Sequence, residues 1–179
     1  FEWLHVPDAA LEYPFSISPM MQIPLGEYRA KMRDSTAPLA HGGPERLYLS
    51  RSRMGQDDTR SDFRSLRNED EIERVFAAHG FEIVHPQDIP FEEQIALYRN
   101  ARVMAGPNGS GLHNCMFSLR CEKMIEILTP PKIWGAKLQN TLNRFMGIGQ
   151  IVLWSDTVTE DRQFYELDLD ELETSLRWL

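Results

Sequence analysis

The stretch Gly106–Asn114, which reads GPNGSGLHN, contains the residues of this chain that most clearly suggest chemistry. It follows the apolar run Val103–Ala105 and precedes the apolar run Cys115–Phe117, an order that predicts a strand, a tight turn and a helix. Glycines let the backbone approach a ligand closely, and the first turn of a helix presents N–H groups and a partial positive charge. The stretch therefore predicts a phosphate or nucleotide site. Its expected donors are the Ser110 hydroxyl and the N–H groups of Gly109, Ser110, Gly111 and Leu112.

Two further kinds of side chain suggest the same type of ligand. Arginines are concentrated before the turn, at Arg46, Arg51, Arg53, Arg60, Arg64 and Arg67. A guanidinium group offers a planar fork of donors that suits a diphosphate, although such a group of arginines also fits a solvated surface segment. After the turn, Glu126 could accept two hydrogen bonds from a ribose diol. Alternatively, Glu126 could pair structurally with an arginine.

The elements that would position these residues alternate along the chain. Short apolar runs predict five strands, at Arg46–Ser50, Phe81–His85, Arg102–Gly106, Lys123–Leu128 and Gln150–Trp154. Helices are predicted from Asn68 as N-cap with Glu71 in a capping box, from Pro90, after the glycine turn, over Trp134–Phe145 and over Asp168–Leu179. This alternation predicts an α/β fold, a Rossmann-like parallel sheet with helices on both faces.

The predicted sheet also predicts where a ligand would bind. In open parallel sheets, ligands lie outside the carboxyl ends of the strands. Arg51 and Arg53 follow the first predicted strand, Asn108 and the glycine turn follow the third, and Glu126 lies near the end of the fourth. We therefore expect these residues to converge on one crevice.

Composition limits the remaining possibilities. With 179 residues, 42% of them apolar, the chain can form one core with an additional segment. Its net charge of −8 argues against a nucleic-acid partner, and the absence of an apolar run of ~20 residues argues against a membrane span. The five histidines form no i,i+4 pair, so we expect no metal site.

The proline distribution divides the chain in two. Residues 1–45 contain more than half of the 11 prolines and are interpreted as a linker or the remnant of an N-terminal domain. Residues 46–179 are interpreted as the Rossmann-like domain, which would bind the nucleotide.

Taken together, the motifs from about Arg46 to Leu128 resemble the carboxyl-terminal half of glycosyltransferase family 61. The matching elements agree in order and spacing. They are Ser50-Arg51, Arg67-Asn68-Glu69 with Glu71, Gly80-Phe81-Glu82, Phe91-Glu92-Glu93-Gln94, Ala101, GPNGSGLHN with Phe117, and Ile125-Glu126-Ile127. Residues 16–33 also look like the segment that joins the two halves of these proteins.

The resemblance implies an inverting, metal-independent glycosyltransferase of the GT-B type, in which two Rossmann-like domains face each other. It would transfer a sugar from a nucleotide-diphosphate donor to a glycan or other hydroxyl acceptor, without a cofactor. Bacterial members are often described as capsular polysaccharide biosynthesis proteins. A cytoplasmic location is expected, or a secretory-pathway lumen if the protein is eukaryotic.

The residues and the resemblance together predict the donor-binding residues and leave the catalytic residue unassigned. Arg51 and the glycine turn would bind the diphosphate, while Asn68 and Glu69 could instead order the arginine segment, with a helix cap as the alternative for Asn68. The predicted set is Arg51, Arg53, Asn68, Glu69, Asn108, Gly109, Ser110, Gly111, Leu112 and Glu126.

The sequence departs from the family pattern in two respects. The family turn usually reads Gly-Pro-His-Gly-Ala-Gly-Leu, and here Asn108 stands in place of the histidine. An asparagine can donate a hydrogen bond to a phosphate but brings neither charge nor a transferable proton. The chain is also expected to lack the amino-terminal domain, so that acceptor binding and the general base would belong to that domain or to a partner chain.

Two other interpretations remain open. The chain could be a non-catalytic nucleotide-sugar-binding or scaffolding module of glycosyltransferase descent, for which Asn108 is the best evidence. It could also be an unrelated Rossmann-like enzyme. That alternative is less favoured because the glycine turn follows the third strand, whereas a dinucleotide fingerprint follows the first.

Overall fold

The computed structural model describes residues 42–54, 65–129, 133–157 and 164–179, two short strands near the amino terminus, and four helical positions between 27 and 34. The strands are β1 (Leu11–Glu12), β2 (Ser16–Ile17), β3 (Arg46–Leu49), β4 (Ser65–Leu66), β5 (Glu82–Val84), β6 (Val103–Pro107), β7 (Lys123–Leu128), β8 (Gly149–Trp154), β9 (Asp156–Thr157) and β10 (Phe164–Glu166). The α-helices are α1 (Glu69–Ala78), α2 (Phe91–Asn100), α3 (Ser110–His113), α4 (Ile133–Met146) and α5 (Leu169–Leu176). Most of the segment interpreted as a linker therefore lies outside the described residues, although β1 and β2 pair with each other and β2 lies against α4.

The main sheet confirms the five predicted strands. They are all parallel and lie in the order β5-β3-β6-β7-β8. From β3 the chain first adds β5 on one side and then returns to add β6, β7 and β8 on the other. The order therefore reverses between β3 and β6, and a crevice forms at such a switch point.

Helices cover both faces of this sheet, as predicted. On one face, α1 and α5 pack Phe76 and Leu172 against Tyr48, Ile125 and Ile127. On the other face, α2 and the segment after the glycine turn pack against a second apolar cluster, which includes Leu47, Leu49, Tyr98, Met104 and Leu112. Side chains alternate between the two faces along a strand, so that Tyr48 points to one cluster while Leu47 and Leu49 point to the other.

Helix α1 begins where predicted, but the predicted capping box is wrong. Asn68 is the N-cap residue, yet its side chain makes no capping hydrogen bond. Its Nδ2 instead donates to Leu167 O at 2.8 Å, and its Oδ1 accepts from Leu167 N at 3.2 Å. Leu167 is only 2% exposed, and buried backbone groups need hydrogen-bond partners. The Asn68 side chain is such a partner and is therefore not available to cap the helix. Glu71 pairs with Arg74.

Two features around the sheet differ from expectation. The helix after the glycine turn is a single turn, α3, followed by a 3₁₀ turn at Asn114–Phe117. A second sheet, in the order β4-β10-β9, was not predicted, because strands of two or three residues carry no periodic signal. By contrast, α5 is confirmed with Asp168 as its N-cap and with Leu172 and Leu176 buried.

Candidate functional site

A cleft of about 350 Å³ opens at the carboxyl edge of the sheet, at the switch point between β3 and β6. This volume lies in the range of small-molecule sites. Residues from three strand ends and from α2 line it: Leu49, Ser50, Arg51, Met54, Pro86, Gln87, Gln94, Pro107, Ser110, Gly111, Leu112 and Asn114. Of the predicted donor-binding residues, the structure brings Arg51, Ser110, Gly111 and Leu112 together here.

Arg51 and Gly109 are in direct contact across this cleft. A Cβ atom placed on Gly109 would lie 1.6 Å from Nη2 and 2.8 Å from Cζ of Arg51. The guanidinium group therefore occupies the space directly over the Gly109 α-carbon, which only a glycine leaves open. The expected approach of Arg51 to the glycine turn is thus present in the fold.

Glu69 lies beneath the end of β3 and not in the cleft. It is 4% exposed, and its Oε1 accepts from Arg51 N at 2.7 Å and from Tyr48 Oη at 3.3 Å. Burial raises the pKa of the Glu69 carboxyl above its usual value, because removal from water disfavours the charged form. This geometry matches the alternative in which Glu69 orders the arginine segment.

The side chain of Asn108 points away from the cleft, toward the interior of the sheet. Its Nδ2 donates to Glu126 Oε1, and Gln150 Nε2 donates to Glu126 Oε2 at 2.6 Å. Glu126 is fully buried, and burial raises the pKa of its carboxyl. The structure therefore does not bring Glu126 to the cleft for a ribose contact, and no arginine among the described residues pairs with it. Two side-chain amides stabilise it instead.

Arg53 and Asn68 also lie away from the cleft. Arg53 forms an exposed ion pair with Asp88 at 2.8 Å, and Asn68 is bound to the backbone of Leu167. Elsewhere in the arginine group, Arg46 Nη1 donates to His79 O at 2.8 Å. Arg60 and Arg64 lie outside the described residues.

Reasoning from the sequence missed the wall of the cleft that Gln94 organises. Gln94 Nε2 donates to Pro86 O at 2.7 Å and to Ile89 O at 3.0 Å, and its Oε1 accepts from Tyr98 Oη at 3.2 Å. Gln94 thereby fixes the segment that follows β5. The rule that ligands lie at carboxyl ends of strands could have identified Pro86 and Gln87, because they directly follow a predicted strand.

The described parts of the chain contain no group of three or more His, Cys, Asp and Glu side chains with the arrangement of a metal site. Within the same parts, no helix combines the length and the apolar character that crossing a bilayer requires.

Comparison with known proteins identifies the family. No curated protein matches the chain. The sequence model of the family described as Glycosyltransferase 61 matches residues 4–126. This match covers more than half of the chain. It includes β3, the Asn68–Glu69 segment, the glycine turn and β7 as far as Glu126. The chain belongs to the Glycosyltransferase 61 family.

Proposed function

We propose that this chain is the donor-binding half of an inverting, metal-independent glycosyltransferase of the GT-B type, which uses a nucleotide-diphosphate sugar. The observation that carries the proposal is the contact between Arg51 and Gly109 at the switch point of the sheet. It places a cation beside a glycine turn with a hydroxyl at Ser110. Family membership supports glycosyl transfer as the reaction.

The chemistry of the proposed reaction requires stabilisation of a leaving nucleoside diphosphate. As the bond between the anomeric carbon and the diphosphate oxygen breaks, negative charge increases on that oxygen. A guanidinium held in position stabilises this charge electrostatically. Arg51 would perform this role, and the Ser110 hydroxyl and nearby backbone N–H groups would bind the remaining phosphate oxygens.

The acceptor is assigned to a second, facing domain or to a partner chain. The described residues that line the cleft include no carboxylate and no histidine, the groups that most often remove a proton from an acceptor hydroxyl. A base outside this cleft would take the proton of the acceptor hydroxyl, whose oxygen attacks the anomeric carbon from the face opposite the leaving diphosphate, which agrees with inversion at that carbon.

The first test is calorimetry with UDP, GDP and their parent nucleosides. We expect the wild-type chain to bind one nucleoside diphosphate more tightly than its nucleoside. Arg51→Ala should weaken that binding by about 10- to 150-fold, because hydrogen bonds to charged groups contribute roughly 1.5–3 kcal/mol. Affinity for the nucleoside should remain unchanged. Arg53→Ala is the control, since Arg53 is exposed and paired with Asp88. Failure of the wild-type chain to bind either nucleotide would contradict the proposal.

The second candidate function is a nucleotide-sugar-binding module without catalysis. It is favoured by the inward direction of Asn108, whose amide is bound to Glu126 and contributes no group to the cleft lining.

The variant Asn108→His distinguishes the two functions. An imidazole N–H can replace the amide as donor to Glu126, so the fold should be retained. Under the enzymatic proposal, the ring nitrogen that is not bound to Glu126 would reach the diphosphate, and hydrolysis of the bound donor sugar should increase about 10-fold or more, in line with the contribution of a positioned acid or base. Unchanged hydrolysis with intact donor binding would favour the binding module. Thermal unfolding of the variant provides the control for structural damage.

A further inference from the structure

Three consecutive residues after β3 are tied to α1 by two carboxylates. Glu73 Oε1 accepts from Ser50 Oγ at 2.5 Å and from Ser52 Oγ at 2.7 Å. Between these two serines, Arg51 N donates to Glu69 Oε1 at 2.7 Å. Ser52 N closes the arrangement by donating to Ser50 Oγ at 3.0 Å. The backbone of residues 50–52 is therefore fixed at each position.

This arrangement fixes the direction in which Arg51 leaves the backbone. Ser50 and Ser52 point toward α1, and the side chain of Arg51 reaches the opposite side, where it lies over Gly109. An arginine side chain has about 2 kcal/mol of rotamer entropy. A fixed backbone lowers the number of conformations that the guanidinium can adopt before a ligand binds. Less conformational entropy is then lost on binding.

The two glutamates are an unfavourable pair unless these donors compensate. Like charges at positions i and i+4 destabilise a helix, and Glu69 and Glu73 occupy such positions in α1. Glu69 is moreover buried, which adds a desolvation cost. Three short donors, from Ser50, Arg51 and Ser52, and the more distant Tyr48 hydroxyl offset this cost. Simple attachment of α1 to the sheet would not require that the donors surround Arg51.

We propose that Glu73, together with Glu69, is a positioning residue for Arg51, holding its guanidinium over Gly109 where the diphosphate of the donor would bind. The inference about the ligand rests on the proposed function. The inference about the orientation of Arg51 stands on the hydrogen bonds alone.

The binding test is a double-mutant cycle between Glu73→Ala and Arg51→Ala, measured by calorimetry with UDP and GDP. We expect Glu73→Ala to weaken binding about 3- to 10-fold in the wild-type background and to have no further effect when Arg51 is already alanine. Glu73→Gln should retain wild-type affinity, because its amide oxygen can accept from both serines. An equal loss in both backgrounds would overturn the proposal, and so would no loss in either.

A second measurement needs no ligand, so that it separates this proposal from the proposed function. The arginine Nε–H resonance of Arg51 can be identified by its disappearance in Arg51→Lys and then followed by NMR. In the wild type and in Glu73→Gln, this resonance should have a single chemical shift that differs from that of mobile arginines. In Glu73→Ala it should move to the chemical shift of mobile arginines. An unmoved resonance in Glu73→Ala would overturn the proposal even if nucleotides bind. A moved resonance would support it even if the wild-type chain binds none.

Two further variants control this experiment. Glu71→Ala removes another carboxylate of α1. Among the described contacts this carboxylate pairs only with Arg74, so the Arg51 resonance should not move. Ser52→Ala removes one of the two hydroxyl donors to Glu73 and replaces Glu73→Ala if that variant does not fold. It should shift the Arg51 resonance in the same direction by a smaller amount.

Discussion

Gly109→Ala is expected to weaken binding of the nucleoside diphosphate by about 100-fold, which corresponds to about 2.7 kcal/mol. The new methyl group would lie 1.6 Å from Nη2 of Arg51, so the guanidinium must leave the position in which we propose it binds the diphosphate. The methyl group would also fill part of that position itself. Calorimetry with the nucleoside diphosphate that the wild type binds provides the measurement. Because Gly109 has a φ of +158°, alanine should also lower the free energy of unfolding by about 1–3 kcal/mol.

The matched control for this substitution lies in the same turn. In Gly111→Ala, the nearest atom to the added Cβ outside the neighbouring residues is Leu49 Cδ1 at 3.8 Å, an ordinary contact. Gly111 is also helical, a conformation that alanine favours. We expect Gly111→Ala to weaken binding of the nucleoside diphosphate no more than about twofold. This is well below a tenfold loss, which would correspond to about 1.4 kcal/mol. Equal affinities for the two variants would show that the position of Arg51 over Gly109 does not matter for binding.

Glu126→Ala is expected to have the largest effect on stability, lowering the free energy of unfolding by about 3 kcal/mol or more. The substitution leaves Asn108 Nδ2 and Gln150 Nε2 without their acceptor. Both donors are partly buried, so each lost partner costs about 1 kcal/mol, the lower end of the range for an unpaired buried group, and the space of the missing carboxyl group adds a cavity term. Urea unfolding gives the measurement, with an unchanged m-value as evidence that two-state unfolding is retained.

Glu122→Ala is the control for Glu126→Ala, because Glu122 is an exposed glutamate close to it in sequence. Its side chain is 60% exposed and pairs with Arg102 at 2.9 Å, and such surface pairs contribute about 1 kcal/mol or less. If Glu126→Ala lost no more stability than Glu122→Ala, the buried hydrogen bonds of Glu126 would not stabilise the sheet.

The sequence was sufficient to predict the parallel sheet and the meeting of Arg51 with the glycine turn. Strands buried on both faces are short apolar runs, and in a parallel sheet all their carboxyl ends lie at one edge. Arg51 follows the end of β3 by two residues, and Gly109 follows the end of β6 by two residues. Because β3 and β6 are neighbours, their ends meet without any knowledge of side-chain packing.

The direction of individual polar side chains was decided only by the tertiary structure. Glu126 is at a strand end in sequence, but Gln150 on the neighbouring β8 and Asn108 above it bind both of its oxygens in the interior. Asn68 has the sequence of a helix cap, yet the backbone of Leu167, far away in sequence, takes its side chain. Glu73 gave no signal at all, because its role depends on two serines that only the packing of α1 on β3 brings within reach.

The sequence by itself therefore determined the fold class and the edge of the sheet at which the cleft lies, and it placed Arg51 and the glycine turn among the residues expected at that edge. These features follow from the apolar periodicity of each element and from the alternation of strands with helices, and both patterns are visible in consecutive residues. Only the tertiary structure decided that Glu69 binds the backbone of Arg51 from beneath the cleft, that Glu126 lies buried in the sheet, and that Arg53 and Asn68 lie outside the cleft. The reason is that a polar side chain takes the nearest partner in space, and most of those partners are distant in the chain.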